Sequence, residues 1–441
     1  MTVYGRFAGG RLAIVGSMPH AAFREGVHAA REFGCEIWLL VQAGDRHTGG
    51  RPLPRADRVL HVDTHDWRAI VDAVTDSEGR PAVHGVTSFR VDLTEATARA
   101  AEHLGLPSQG LEAVRTANRR HLLRRALGDD PANVKWRLVS SAEELDEAIR
   151  YVGLPLVVRP PSGAAPHGAR TCGTGAEAVA AWRELSGVRW SLPGRPHPGP
   201  VLVEEWVRGT GIGVESLTVA GETHFSGATS KHRRGGASPE EALSFPLGLR
   251  TGLWEEVKRC VDRALRRIGH RQGPAHTEVA ITGDGPKITG IVPCLPTPAI
   301  SAMIADVCGT DPYLDAGLLA LGLVPEPGMP GDGRCPASAA VALFPDAPGR
   351  LVGIGGLLEA RAHGAEVHLH AEPGDTVAAH PDGFAPVGFV RAHADTADRA
   401  LRKARYAASL IHIDTWGERP RAAEGALART APPGTRRPPR P

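Results

Sequence analysis

Lysine, paired cysteines, excess charge and long apolar runs are all scarce in this 441-residue sequence, and each scarcity removes a class of function. The 51 basic and 49 acidic residues leave a formal charge of +2, too little to draw in nucleic acid or an anionic membrane surface, so neither is expected as a partner. No stretch approaches the roughly 18 apolar residues of a membrane span, and the first residues lack an apolar signal core, so a cytoplasmic protein is expected. Cys35, Cys172, Cys260, Cys294, Cys308 and Cys335 form no C-x-x-C pair and mostly sit in apolar surroundings, as reduced packing cysteines do. No G-x-G-x-x-G run follows the first strand pattern, which removes a nicotinamide site. There is no internal repeat.

What the sequence does have is length and regular alternation. Single cores stop growing near 250 to 300 residues, roughly, so two or three domains are expected. Over the first hundred residues, strand patterns at Arg11 to Val15, Glu36 to Val41, Val59 to Val62 and Val83 to Val86 alternate with helical spacing at His20 to Phe33, Trp67 to Val74 and Leu93 to Leu104. That alternation predicts a doubly wound parallel sheet with helices on its faces, an α/β fold class. Leu111 to Leu127 reads as one helix carrying Arg119, Arg120, Arg124 and Arg125. Two capping boxes, Ser141 with Glu144 and Thr174 with Glu177, open further helices, and Leu156 to Arg159 is a buried strand between them.

Gly213 to Val219 is expected to pair with Thr223 to Ala228 across the turn at Ala220-Gly221. Leu253 to Ile268 is amphipathic, with Val257, Cys260, Val261, Ala264, Leu265 and Ile268 on its apolar stripe. Beyond Leu321, strands are expected at Ala339 to Phe344, Gly349 to Leu358 and Glu366 to His370. His368 and His370 share one side of the last of these, where a metal pair is conceivable but a third ligand is lacking and a solvated face is the plainer reading. Glu418 to Pro441, rich in Pro, Arg and Ala, is expected to be disordered.

The stretch with most chemical content is His276 to Leu295. Two alternating apolar segments flank Gly283-Asp284-Gly285, the pattern of a β-hairpin with a glycine-assisted turn. Period-2 alternation puts His276, Glu278 and Ala280 on one face, with Val279 and Ile281 on the other. A carboxylate on a rigid strand suits a metal ligand, although a solvated Glu is the commoner use of such a position.

This hairpin resembles the last catalytic hairpin of ATP-grasp carboxylate-amine ligases, in which an H-x-E strand leads into an E-x-N-x-R strand. The resemblance runs from about residue 11 to 415 and implies an N-terminal α/β domain at 1–108, an ATP-grasp domain at 109–325, a C-terminal lobe at 326–416 and a tail at 417–441. It also implies ATP and magnesium as cofactors, a small carboxylate and an amine as substrates, and acyl-phosphate chemistry. By alignment, Arg120 and Arg159 stand where the family places phosphate-contacting or basic residues, and Gly163 and Gly168 belong to its glycine-rich loop. Backbone groups of Glu204, Glu205, Trp206 and Val207 would read the adenine edge, Lys231 would lie near the acyl site, and Glu278 would bind the metal.

The departures fall at several separate parts of that site. Gly290 replaces the second metal carboxylate, Val292 the amide and Cys294 the arginine for the substrate carboxylate; Ala164 and Pro166 replace loop serines, and Gly211 a ribose-binding Glu. Gly and Val cannot coordinate a cation. An acid elsewhere, such as Asp284 or Glu241, is a conceivable substitute. Two readings stay open: a carboxylate-amine ligase with altered ligands, or a pseudoenzyme that binds or scaffolds, with a protein partner. A biotin-dependent carboxylase subunit is a weaker third, since no carrier segment is visible.

Overall fold

The computed structural model describes residues 9–18, 23, 27–28, 30–31, 34–42, 55–161, 168–186, 190–192, 195–197, 200–233, 240–379 and 386–417. Most of the helix expected at 20–33, Gly163 and the tail at 418–441 lie outside the described residues, as does the side chain of Glu241.

The first sheet is parallel, in the order β3-β2-β1-β4, from β1 (Arg11–Val15), β2 (Glu36–Gln42), β3 (Arg58–Val62) and β4 (Gly85–Thr87). Alternate residues of β1 and β2 feed two cores, as a doubly covered sheet requires. Ala13, Val15, Trp38 and Leu40 pack with residues of α1 (Trp67–Ala73) and α2 (Thr94–His103). Leu12, Ile14, Ile37 and Leu39 pack on the other side with Tyr313, Ala316 and Ala320 from much later in the chain.

The segment predicted as one helix at Leu111 to Leu127 is two, α3 (Leu111–Asn118) and α4 (Arg120–Leu127), because Arg119 is extended at φ −109, ψ 101. Glu95 holds the Arg119 side chain at 3.0 Å, which fixes the break and lets α4 start in a new direction at Arg120. The second sheet, ordered β5-β10-β6-β7, follows from β5 (Trp136–Val139), β6 (Leu156–Arg159), β7 (Arg170–Cys172) and β10 (Val201–Glu205), with a small hairpin of β8 (Trp190–Leu192) and β9 (Arg195–His197) inserted before β10. Its cover is α5 (Ala142–Val152) and α6 (Gly175–Ser186). Both capping boxes form: the Glu144 and Glu177 amides donate to Ser141 and Thr174, and the two carboxylates reach back to the amides of Ser140 and Gly173.

The largest sheet has eight strands in the order β15-β14-β11-β12-β13-β16-β20-β18. These are β11 (Thr210–Val219), β12 (Glu222–Arg233), β13 (Glu240–Phe245), β14 (Gly273–Thr282), β15 (Gly285–Val292), β16 (Ala337–Leu343), β18 (Ala365–Leu369) and β20 (Gly388–Ala394). The expected β11–β12 pairing forms, with Ala220 at φ 51 in the turn. On one face α7 (Thr251–Arg267) buries Val257, Cys260, Val261, Ala264 and Leu265 against Ile212, Val214, Val279 and Ile288 and against Leu123 and Leu127 of α4. Burying each such side chain stabilises by about 1.5–3 kcal/mol, so α4 is held firmly to this sheet.

The helices α8 (Pro298–Cys308) and α9 (Pro312–Ala320) follow β15. The strand expected at Gly349 to Leu358 ends early: β17 (Gly349–Gly355) gives way at Gly356, φ 77, to α10 (Leu357–Ala362). With β19 (Thr376–Val377) and β21 (His412–Trp416), β17 forms a sheet ordered β19-β17-β21. The last helix, α11 (Ala397–Ser409), packs its alanine face on β16 and β20. His368 and His370 are half-buried against the Phe389 ring rather than solvated, and among the described residues no third metal ligand gathers with them.

Candidate functional site

An ion network bridges the second and third sheets, and α4 is its hub. Residues four apart on a helix share a face, so Arg120 and Arg124 project together. The Arg124 side chain, 2% exposed, donates to Glu204 of β10 at 2.5 Å and to the carbonyls of Ile288 and Thr289 at 2.7 and 3.2 Å, tying both sheets to one guanidinium. Arg159, at the end of β6, reaches the other Glu204 oxygen at 3.5 Å. Burial works against the Glu204 anion, yet Arg124, Arg159 and Arg120 hold its carboxyl down to about 2.

Arg120 bonds the Thr289 carbonyl and faces Glu278 at 3.6 Å. Lys231 of β12 approaches the other Glu278 oxygen at 3.3 Å and lies 3.2 Å from His276 Nε2. An ammonium can only donate, so Nε2 accepts and Nδ1 carries the proton toward Glu215, whose two oxygens lie 2.9 Å away. Thr229 donates to the same carboxylate at 3.1 Å. The ring fits because residue 213 is glycine: a Cβ there would meet His276 Cε1 at 2.6 Å. Burial again opposes ionisation at Glu278, but Lys231, Arg120, His276 and Arg159 outweigh it and hold the carboxyl below the usual range.

Across the hairpin, Glu278 pairs in register with Gly290. A Cβ on Gly290 would come within 2.8 Å of Glu278 Oε2 and 3.0 Å of Arg120 Nη1. The space where a second carboxylate would start is thus crowded by the Glu278 carboxylate and the Arg120 guanidinium. Magnesium takes hard oxygen ligands, commonly one or two carboxylates. Here the one aligned carboxylate is engaged by two cations, its partner positions are Gly290 and Val292, and no group of three or more His, Cys, Asp or Glu that could hold a metal exists among the described residues. These residues do not fit magnesium. Asp284 is exposed in the turn at the far end of the hairpin from His276, and offers no replacement there.

The structure gathers Arg120, Arg159, Glu204, Lys231 and Glu278 into one network. It leaves the others outside. Glu205 and Trp206 sit at the β10 edge, where their amides donate to the carbonyls of Lys135 and Pro155 at 2.9 and 3.3 Å; Trp206 is 38% exposed and Val207 follows the strand. Gly168, buried with φ 92, precedes β7. Cys294 is buried with its thiol toward the Ser88 carbonyl, and burial pushes that thiol up to about 12, far from an arginine's role. Sequence reasoning gave no role to Arg124, Glu215 or Thr229. The signals were there: an arginine one turn after Arg120, and a lone acid inside the apolar run from Ile212 to Val219.

Residues 27–108 match the family model of the ATP-grasp N-terminal domain, and residues 341–415 match L-amino acid ligase C-terminal domain 2. The fold matches the crystal structure of L-amino acid ligase from Bacillus licheniformis with a TM-score of 0.76 and 19% identity, over 92% of this chain and 99% of that one. This chain has the ATP-grasp fold.

Two curated relatives match in sequence. The uncharacterized protein y4rH of Sinorhizobium fredii is 25% identical over 358 residues, 78% of this chain and 72% of that protein. Human carnosine synthase 1 is 25% identical over 322 residues, 67% of this chain but only 38% of the synthase. The ligase-type match of the C-terminal residues agrees with the resemblance to amine ligases rather than to carboxylases. No described helix is long and apolar enough to cross a membrane.

Proposed function

We propose that this protein of ATP-grasp fold binds a phosphate-bearing ligand at the junction of its two antiparallel sheets and does not form an acyl phosphate. One observation carries the reading: Glu278 is held by Lys231 and Arg120, and the Arg120 guanidinium crowds the space above Gly290. Magnesium offsets the charge that develops as a phosphoryl group moves, and the donor set for it is missing. Arg120 and Arg159 supply a planar donor array suited to a phosphate. Binding groups remain, whereas the means of turnover do not.

A second reading, a carboxylate-amine ligase acting on an amino acid and an amine, is favoured by the retained chain from Glu215 through His276 to Lys231, a polar, partly buried array beside Glu278. The similarity to an L-amino acid ligase and to carnosine synthase is in line with it. The deciding experiment incubates the protein with ATP and magnesium against a panel of amino acids and amines and follows phosphate release. No release above the protein-free blank is expected. Release that depends on a particular acid would replace the first reading with the second.

A further inference from the structure

The misfit to magnesium has a positive counterpart in the charges gathered at the same place. Four cationic side chains, Arg120, Arg124, Arg159 and Lys231, converge on two carboxylates, Glu204 and Glu278. Glu204 is spanned by Arg124 and Arg159, and Glu278 by Arg120 and Lys231, so each acid is shared between two bases. Glu215 adds a third carboxylate through His276, which Lys231 touches, so among the described residues the network carries one cation in excess, fixed in place by the protein. Arg159 registers that surplus: burial, and then repulsion from Arg120, push it down to about 10 from 12.5. An incoming anion relieves such crowding, while a further cation adds to it.

We infer that the fixed guanidinium of Arg120, together with Arg159 and Lys231, takes the place of the divalent cation, so that the junction selects a phosphoryl anion free of metal. This rests on the anion-binding reading and gives it a ligand state. Arg120 is positioned for the purpose by the break at Arg119 and by its bond to the Thr289 carbonyl, so little freedom is lost when it meets an anion. A ligand already carrying magnesium would bring two positive charges to a site whose partly exposed acid, Glu278, is occupied by Lys231 and Arg120. Magnesium should thus act as a competitor for the ligand rather than as a bridge to the protein.

The shared chemistry is the phosphoryl group, and two sources can supply it, a nucleotide or an inorganic polyphosphate. Calorimetric titrations of the purified full chain with ATP and with pyrophosphate, each in EDTA and in saturating magnesium, separate them. Binding in EDTA is expected to be about tenfold or more tighter than in magnesium, in keeping with the strength of charge-assisted bonds. Pyrophosphate binding as well as ATP supports recognition of phosphate alone; ATP alone supports it with a base-reading contribution. Arg120→Gln and Arg159→Gln should each weaken binding in EDTA about tenfold. Arg120→Lys, which keeps the charge, guards against a folding defect and should lose less. Binding that requires magnesium, or no binding in either buffer, overturns the inference. Magnesium-dependent binding without phosphate release would leave the non-catalytic reading standing, while acid-dependent release with metal-free binding would do the reverse.

Discussion

Two charge clusters in this protein use similar residues to opposite ends. In the C-terminal region Asp306 of α8 accepts from Arg334 at 2.6 Å, His393 at 2.8 Å and Ser338 at 3.0 Å and forms an ion pair with Arg391 at 3.1 Å, and Glu366 of β18 closes the ring through Arg334, Arg391 and His368. Two acids there face two guanidiniums, so the charges of the cluster balance without a ligand. At the junction of the second and third sheets three acids, Glu204, Glu278 and Glu215, face four bases among the described residues. Complete networks fasten elements together, whereas an uncompensated surplus marks a place where something of the opposite sign belongs. Asp306 joins α8 to β16 and β20, which is fastening.

Breaking the complete cluster should have the largest effect on stability. Asp306→Asn leaves the buried Arg391 facing an amide in place of an anion, and removing one partner of a buried pair costs about 3–5 kcal/mol. Denaturant unfolding followed by tryptophan fluorescence checks this. The junction has a pH signature instead. Glu204 is held near 2 in the folded state against 4.5 for a free glutamate, so its stabilisation is fully present above pH 4.5 and is lost as the pH falls through about 2. The linked loss is about 3 kcal/mol at its limit, and Glu204→Gln should flatten that part of the acid unfolding curve.

The next change would convert one kind of site into the other. Gly290→Glu with Val292→Asn places two further oxygens beside Glu278, but Arg120 crowds the space, so the pair needs Arg120→Lys to withdraw the guanidinium. The triple variant is expected to bind ATP more tightly with magnesium than without, reversing the order expected for the natural chain; the Gly290→Glu, Val292→Asn pair alone should not reverse it. Calorimetry in the two buffers checks both. The smallest effect is at the β10 edge: Trp206→Ala, at an exposed ring, should change stability by within about 0.5 kcal/mol. It should weaken ATP severalfold and leave pyrophosphate unchanged, which separates base reading from phosphate binding.

Much of this architecture was legible because its causes are local. The hairpin of β14 and β15 announces itself through alternation around Gly283-Asp284-Gly285, and the capping boxes at Ser141 and Thr174 span only four residues each. The break at Arg119 was not legible. Apolar spacing runs unbroken from Leu111 to Leu127, and what stops the helix is Glu95, 24 positions away. Gly356 ended a strand that composition alone extended to Leu358. At the site, the missing metal ligands at Gly290 and Val292 could be read directly, since absence needs no partner. What replaced them could not, because Arg124 and Glu204 meet across 80 positions and Glu215 and His276 across 61.

The central claim is that Arg120 stands where a metal ion would otherwise be held. Electron paramagnetic resonance of manganese(II), titrated into the protein with ATP, tests it most directly because the signal of free metal collapses when a protein captures it. Expected is a free-manganese signal no smaller than that of manganese and ATP without protein at any ratio, because a protein that takes ATP free of metal returns manganese to solution. A saturable loss of signal at one manganese per chain, absent when Glu278 is changed to Gln, would contradict it.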